Sequence, residues 1–131
     1  MSIGKAVSAI LTGDAAVAAL VGTRVWPMRL KQGTLQTSIT YQRISAARSH
    51  THDGPVGLNG SRIQVDCWAA TYGAADALAT AVRRALDNYE GTAAGIRIQR
   101  VFLDDESDEF EEATDADRVR LDFIIHHEEL I

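Results

Sequence analysis

Arg62-Ile63-Gln64-Val65-Asp66-Cys67-Trp68-Ala69-Ala70-Thr71-Tyr72-Gly73-Ala74-Ala75-Asp76-Ala77-Leu78-Ala79-Thr80-Ala81-Val82-Arg83-Arg84-Ala85-Leu86 decides the fold, because its apolar period changes from two to about three and a half within one segment. A strand turns directly into a helix. Alternation sends Ile63, Val65, Cys67 and Ala69 to one face of the strand and Arg62, Gln64, Asp66 and Trp68 to the other, one face apolar and one amphiphilic. On the helix, Ala75, Leu78, Val82, Leu86 and Tyr89 share a stripe, and Asp76, Thr80, Arg83, Arg84 and Asp87 lie away from it. Neither element carries an obvious reacting group.

Working outward, Ile3, Ala6, Val7, Ile10 and Leu11 form a helical stripe that Gly13 can end in a left-handed conformation. Asp14 is placed to cap a second short helix through Val21, stopped by Gly22. Pro27 favours extended backbone at Trp26, so 24–27 reads as extended and 28–36 as loop. Ser38 to Ala46 reads as a strand pairing antiparallel with Arg62 to Ala70. The helix spans about 74–89, and Gly91 to Gly95 turns into a strand near Ile96 to Leu103. A last strand near Arg118 to Glu128 puts Val119, Leu121, Phe123 and Ile125 on one face, with Arg118, Arg120, Asp122, Ile124 and His126 on the other. The expected fold is a small single α+β domain over residues 1–131: an antiparallel sheet of about four strands packed by one long helix plus N-terminal helices, in the order α-β-β-α-β-β. Two connections of 14 residues, Arg48 to Ser61 and Asp104 to Asp117, read as long hairpin loops.

Composition sets bounds. A chain of 131 residues is long enough to bury roughly two thirds of the surface its unfolded form exposes. With no basic region followed by a long apolar run, and no stretch near the ~20 apolar residues needed to span a bilayer, a soluble protein without signal peptide or membrane anchor is expected. One cysteine, Cys67, excludes an internal disulfide, and its place on the apolar strand face makes it a small buried hydrophobe. The net charge of −5 is uneven: 104–117 holds nine acidic residues and no Lys or Arg, leaving the remainder with 13 basic against 9 acidic residues, or +4. Such a run reads as a solvated loop, or as a negative surface facing a basic partner or repelling DNA. Asp108, Glu109, Glu111 and Glu112 are its candidate contact residues.

Signals for chemistry are thin. His50 and His52 beside Asp53 are ligand-type residues, but no second ligand set follows at a recognisable spacing, and adjacent His126 and His127 on a strand must face opposite ways. The acidic run lacks the Asp-x-Asp-x-Asp-Gly pattern of a calcium loop. No catalytic residue, cofactor site or metal site is expected. Instead, Trp68 and Ile124 among Arg62, Arg118 and Arg120 give the amphiphilic strand faces the aromatic and Arg mixture of a protein interface.

Gly13-Asp-Ala-Ala-Val-Ala-Ala-Leu-Val-Gly22, Arg24-Val-Trp-Pro27, Ile39-Thr-Tyr-Gln-Arg-Ile44, the strand and helix quoted above, Ile96-Arg-Ile-Gln99, Leu103-Asp-Asp-Glu106 and Arg118-Val-Arg-Leu-Asp-Phe123 follow one another in an order and spacing that resembles the tail completion or tail terminator proteins of long-tailed bacteriophages. The resemblance covers nearly the whole chain and brings no catalytic motif. It implies a virion structural subunit, from a phage or a gene transfer agent, that assembles into a ring, usually hexameric, at the head-proximal end of the tail. It further implies the tail tube and a neck or head-closure protein as partners, with DNA passing through unread. Candidate contacts are Arg62, Trp68, Arg118, Arg120, His50, His52 and the acidic residues named above. Three other readings compete: a different neck component, a small metal-dependent enzyme using His50, His52 and the acidic loop, and a host regulatory domain.

Overall fold

A computed structural model of the chain describes residues 3–28, 36–48, 58–111 and 116–129. Helix α1 (Ile3–Gly13) buries Ile3, Ala6, Val7, Ile10 and Leu11, as its stripe requires. Gly13 is its last residue without a positive φ, so the expected left-handed ending is absent. The next helix starts at once. In α2 (Ala15–Val21) the Asp14 carboxylate accepts from Val17 N at 3.1 Å and fills the cap role, and Gly22 ends the helix at φ +59°.

The sheet has six strands: β1 (Val25–Pro27), β2 (Ser38–Arg48), β3 (Leu58–Ala69), β4 (Gly91–Ala93), β5 (Ile96–Glu111) and β6 (Ala116–Glu129), in spatial order β1-β2-β3-β6-β5-β4. It is mixed, because β1 runs parallel to β2 while every other pairing is antiparallel. This corrects the expected four-stranded antiparallel sheet. The two added strands are three-residue edge pieces, too short to show a period in sequence. Between β4 and β5, Ala94 at φ +50° and Gly95 at φ +78° make a two-residue turn with both centres left-handed, the geometry that suits a tight hairpin.

Helix α3 (Tyr72–Leu86) follows β3 after two residues, with the Thr71 hydroxyl accepting from Ala74 N at 3.2 Å. It buries Ala75, Leu78, Ala79, Ala81, Val82 and Leu86 against the sheet. Its end is tied to β5, since Asn88 N donates to Val101 O at 2.9 Å and Leu103 N donates to Asp87 Oδ1 at 3.2 Å. The three helices cover one face of the sheet. Ile39, Ile63, Val65, Cys67, Val119, Leu121, Phe123 and Ile125 point into this layer, all nearly or fully buried. Burial pushes the Cys67 thiol well above its ordinary value, as for an inert core cysteine.

The largest correction concerns the acidic run. Asp104 to Asp117 is not a 14-residue loop: β5 continues through Glu111 and β6 starts at Ala116, so residues 112–115 alone connect the strands. The other connection is also shorter than expected, with β2 reaching Arg48 and β3 starting at Leu58. Cross-strand partners explain the acidic strand. Like charges along one strand alternate between the two faces, and cations on neighbouring elements meet them there.

Candidate assembly surface

The sheet face opposite the helices is built from alternate residues of β2, β3, β6 and β5. Register across β3 and β6 sets Trp68 beside Arg118, Asp66 beside Arg120, and Arg62 beside Ile124. On the other side of β6, Arg118 faces Glu109 and Arg120 faces Ser107. Sequence alternation put Arg62, Trp68, Arg118 and Arg120 on outward faces, and the β3–β6 pairing makes them one surface.

Trp68 is half-buried at its centre. The indole Nε1 donates to Thr40 Oγ1 at 2.9 Å, and the Arg118 guanidinium carbon lies 4.9 Å from the ring centroid. Glu109 ion-pairs with Arg118, and its other oxygen lies 3.6 Å from Arg120 Nη1. Arg62 Nη1 donates to Asp104 Oδ2 at 2.7 Å and its Nη2 to Asp122 Oδ2 at 3.2 Å. These carboxylates, Asp104 foremost, raise the Arg62 pKa above its ordinary value. Further along, the Arg100 guanidinium carbon lies 4.4 Å from the centroid of Phe102, whose ring meets His126 edge-on at 5.8 Å.

Asp66 sits under this layer, only 7% exposed. Gln64 Nε2 donates to Asp66 Oδ2 at 2.9 Å and Arg118 Nη1 lies 4.0 Å from the same oxygen, while Oδ1 has no hydrogen-bond partner among the described residues. Burial raises the Asp66 pKa above its ordinary 3.8, outweighing Gln64 and Arg118, which lower it. A raised folded pKa favours the protonated acid in the native state, so the stability contributed by Asp66 is complete below the unfolded pKa and lost as pH rises through the folded one. Asp66→Asn should therefore gain on the native chain as pH rises from about 4 to about 7, across the carboxylate range. Urea midpoints of both chains at several pH values check this, and a native chain that gains on the variant with rising pH would show instead a carboxylate stabilised by Arg118.

On the helix side, Arg83 of α3 pairs with Glu106 at 3.3 Å, and Tyr72 Oη donates to Asp108 Oδ2 at 3.1 Å. Tyr72 and Phe110 are exposed there. Among the acidic candidates, Asp108 and Glu109 thus lie on opposite faces, and Glu111 ends β5. His50, His52 and Glu112 lie outside the described residues. His126 and His127 do diverge: His126 meets Phe102, whereas His127 is buried on the core side with Nε2 2.7 Å from Ser61 Oγ. Among the described residues no group of three or more His, Cys, Asp or Glu is placed to hold a metal ion, and no single helix is long and apolar enough to cross a membrane. Sequence reading missed the roles of Thr40, Asp104, Asp122, Arg83 and Phe102. The signal was present in the period-two spacing of Glu106 and Asp108 against that of Asp105 and Glu109, once the run is treated as a strand.

Comparison with known proteins adds to this geometry. The family model described as tail completion protein gp17 matches residues 5–128. The chain belongs to the tail completion protein family. A tail completion protein is a structural component of a phage-type tail, in keeping with a surface of aromatic and ion-paired side chains. Among solved structures, a chain from a particle titled "Virion of native gene transfer agent (GTA) particle" is similar in fold, with a TM-score of 0.81, 23% identity, and coverage of 97% of this chain and 95% of that one. No curated protein matches the sequence of this tail completion protein.

Proposed function

We propose that this tail completion protein is the terminator subunit of a phage or gene-transfer-agent tail, folding as one domain and closing into a ring, hexameric by preference, at the head-proximal end of the tail tube. The observation that carries this reading is the family match over residues 5–128, nearly the whole chain. The chain acts by contact, without catalytic residues, metal or cofactor. Its copies meet one another, the tail tube on one side and a neck or head-closure protein on the other, after assembly in the host cytoplasm. The open sheet face with Arg62, Trp68, Arg118 and Arg120 is a contact surface in the particle, since aromatic and Arg side chains are enriched at interfaces.

DNA passes through the ring without being read. In support, Arg62, Arg118 and Arg120 are each committed to carboxylates of the same chain, so these three cations are not free to cluster on a phosphate backbone. Light scattering on the concentrated protein, alone and with isolated tail tubes, should find a closed assembly of six 14.2 kDa chains, about 85 kDa, and electron micrographs should show it at one tube end. Persistent monomer with bare tube ends would sink the reading. A strict two-fold dimer would favour a regulatory domain, and binding to heads without binding to tubes would favour another neck component.

A further inference from the structure

The sheet ends in two stepped edges. On one side, β4 covers Ile96 to Ile98 of β5 and the link from α3 reaches Val101 and Leu103, but among the described residues nothing pairs with the outer edge of β5 from Asp104 to Glu111. On the other side, β1 covers Ile39 to Tyr41 of β2, Met28 N donates to Tyr41 O, and no described strand pairs with β2 from Gln42 to Arg48. Following the register across the sheet, β1 stands level with the uncovered part of β5, and β4 stands toward the uncovered part of β2. The steps are therefore complementary: the short strand of each edge lies opposite the gap of the other.

Charge follows the same division. The uncovered β5 edge carries Asp104, Asp105, Glu106, Asp108, Glu109 and Glu111 and no cation. Asp104, Glu106 and Glu109 pair with arginines of the same chain, which leaves Asp105, Asp108 and Glu111, whereas β1 and β2 carry Arg43 and Arg48 and no Asp or Glu. Asp105 makes no ion pair among the described residues and accepts only from its neighbour Glu106 N. Two acidic edges brought together in a two-fold pairing would repel, which is how exposed edges are kept from pairing with themselves. An acidic edge against a basic one attracts. Strand direction agrees, because β5 runs opposite to β2, and β1 runs with β2.

We propose that copies of the chain join head to tail through these edges, the outer edge of β5 in one copy beside β1 of the next and running antiparallel to it, so that the ring carries a continuous sheet from copy to copy. This contact is heterologous and uses a different patch on each partner, which is the requirement for closing a ring. The inference rests on the ring reading above, and it assigns the surfaces that make the ring.

The test exchanges charge between edges. One variant carries Asp105→Lys with Asp108→Lys, and the other carries Gln42→Glu with Arg43→Glu. Each alone should assemble roughly tenfold or more weakly than the native chain, because like charges then face each other. A one-to-one mixture should recover rings that hold the two variants in equal number, since each copy again meets an oppositely charged edge. Native mass spectrometry counts the chains, and melting of the dilute variants confirms that both fold. Native assembly should also weaken as salt rises from about 0.05 to about 0.5 M, where exposed charge attraction is screened. Variants that assemble singly like the native chain, or a mixture that fails to recover, would overturn the edge assignment and leave the ring standing. A native chain that forms no ring, free or on tubes, would overturn both.

Discussion

Phe123→Ala should destabilise the monomer by about 3 to 5 kcal/mol, the usual cost of emptying a large aromatic core site. Phe123 is fully buried in the middle of β6, with Ile63 of β3 opposite on one side and Leu103 of β5 on the other. The core cluster below it includes Leu78 and Val82 of α3. Removing the ring leaves a void walled by two strands and a helix that are tied to one another by the sheet ladder and by the Thr71 cap, so the site cannot collapse freely. For a chain of this size the loss corresponds to a fall in Tm of roughly 10 to 15 °C. Phe123→Leu, which fills most of the volume, should cost about 1 to 2 kcal/mol. Urea unfolding of the three chains measures both. A Phe123→Ala chain within about 1 kcal/mol of native would mean that β6 faces the other way, with Asp122 and Ile124 toward the helices.

Strand faces and helix stripes were legible because each depends on a period. Ile63, Val65 and Cys67 alternate with Gln64 and Asp66, and one buried face follows without knowledge of the partner strand. Asp14 was legible as a cap because a short carboxylate before an apolar helix start has one clear use. The acidic strand was not legible for an equally physical reason. Nine carboxylates with no cation among them look unable to pack, yet cations meet them from outside the run: Arg62 for Asp104 and Arg83 for Glu106 from far away in sequence, and Arg118 and Arg120 for Glu109 from just past its end. Finding Arg62 requires the strand order β3-β6-β5, which sets β6 between β3 and β5, and finding Arg83 requires α3 to lie along β5.

The candidate surface was legible to the same depth. Trp68, Arg118, Arg120 and Arg62 were assigned to outward faces from their own strands, and register sets Trp68 beside Arg118 with Arg120 next along β6, while Arg62 stands further along β3 opposite Ile124. What sequence could not supply was their engagement within the chain. Trp68 reads in sequence as an aromatic free to meet a partner, whereas its ring supports Arg118 and its N–H is used by Thr40. These side chains are held in place by bonds within the chain, which for the proposed contact would lower the ordering cost of binding.

Trp68→Ala should accordingly cost the isolated monomer about 2 to 3 kcal/mol, less than an emptied core site because the indole is only partly buried, and more than an exposed aromatic because its environment depends on it. Truncation removes the Thr40 hydrogen bond and the ring face under Arg118, the same arginine that lies 4.0 Å from Asp66 Oδ2. Trp68→Phe keeps an apolar ring for Arg118 and loses the N–H bond alone, so about 1 kcal/mol is expected. These monomer values separate the two roles open to the residue. If assembly on tail tubes falls in proportion to monomer stability in both variants, Trp68 shapes the surface from within. If Trp68→Phe folds nearly as well as the native chain but assembles far more weakly, the indole itself touches a partner. A Trp68→Ala monomer that melts like the native chain would show that the polar layer of Thr40, Asp66 and Arg118 stands without it.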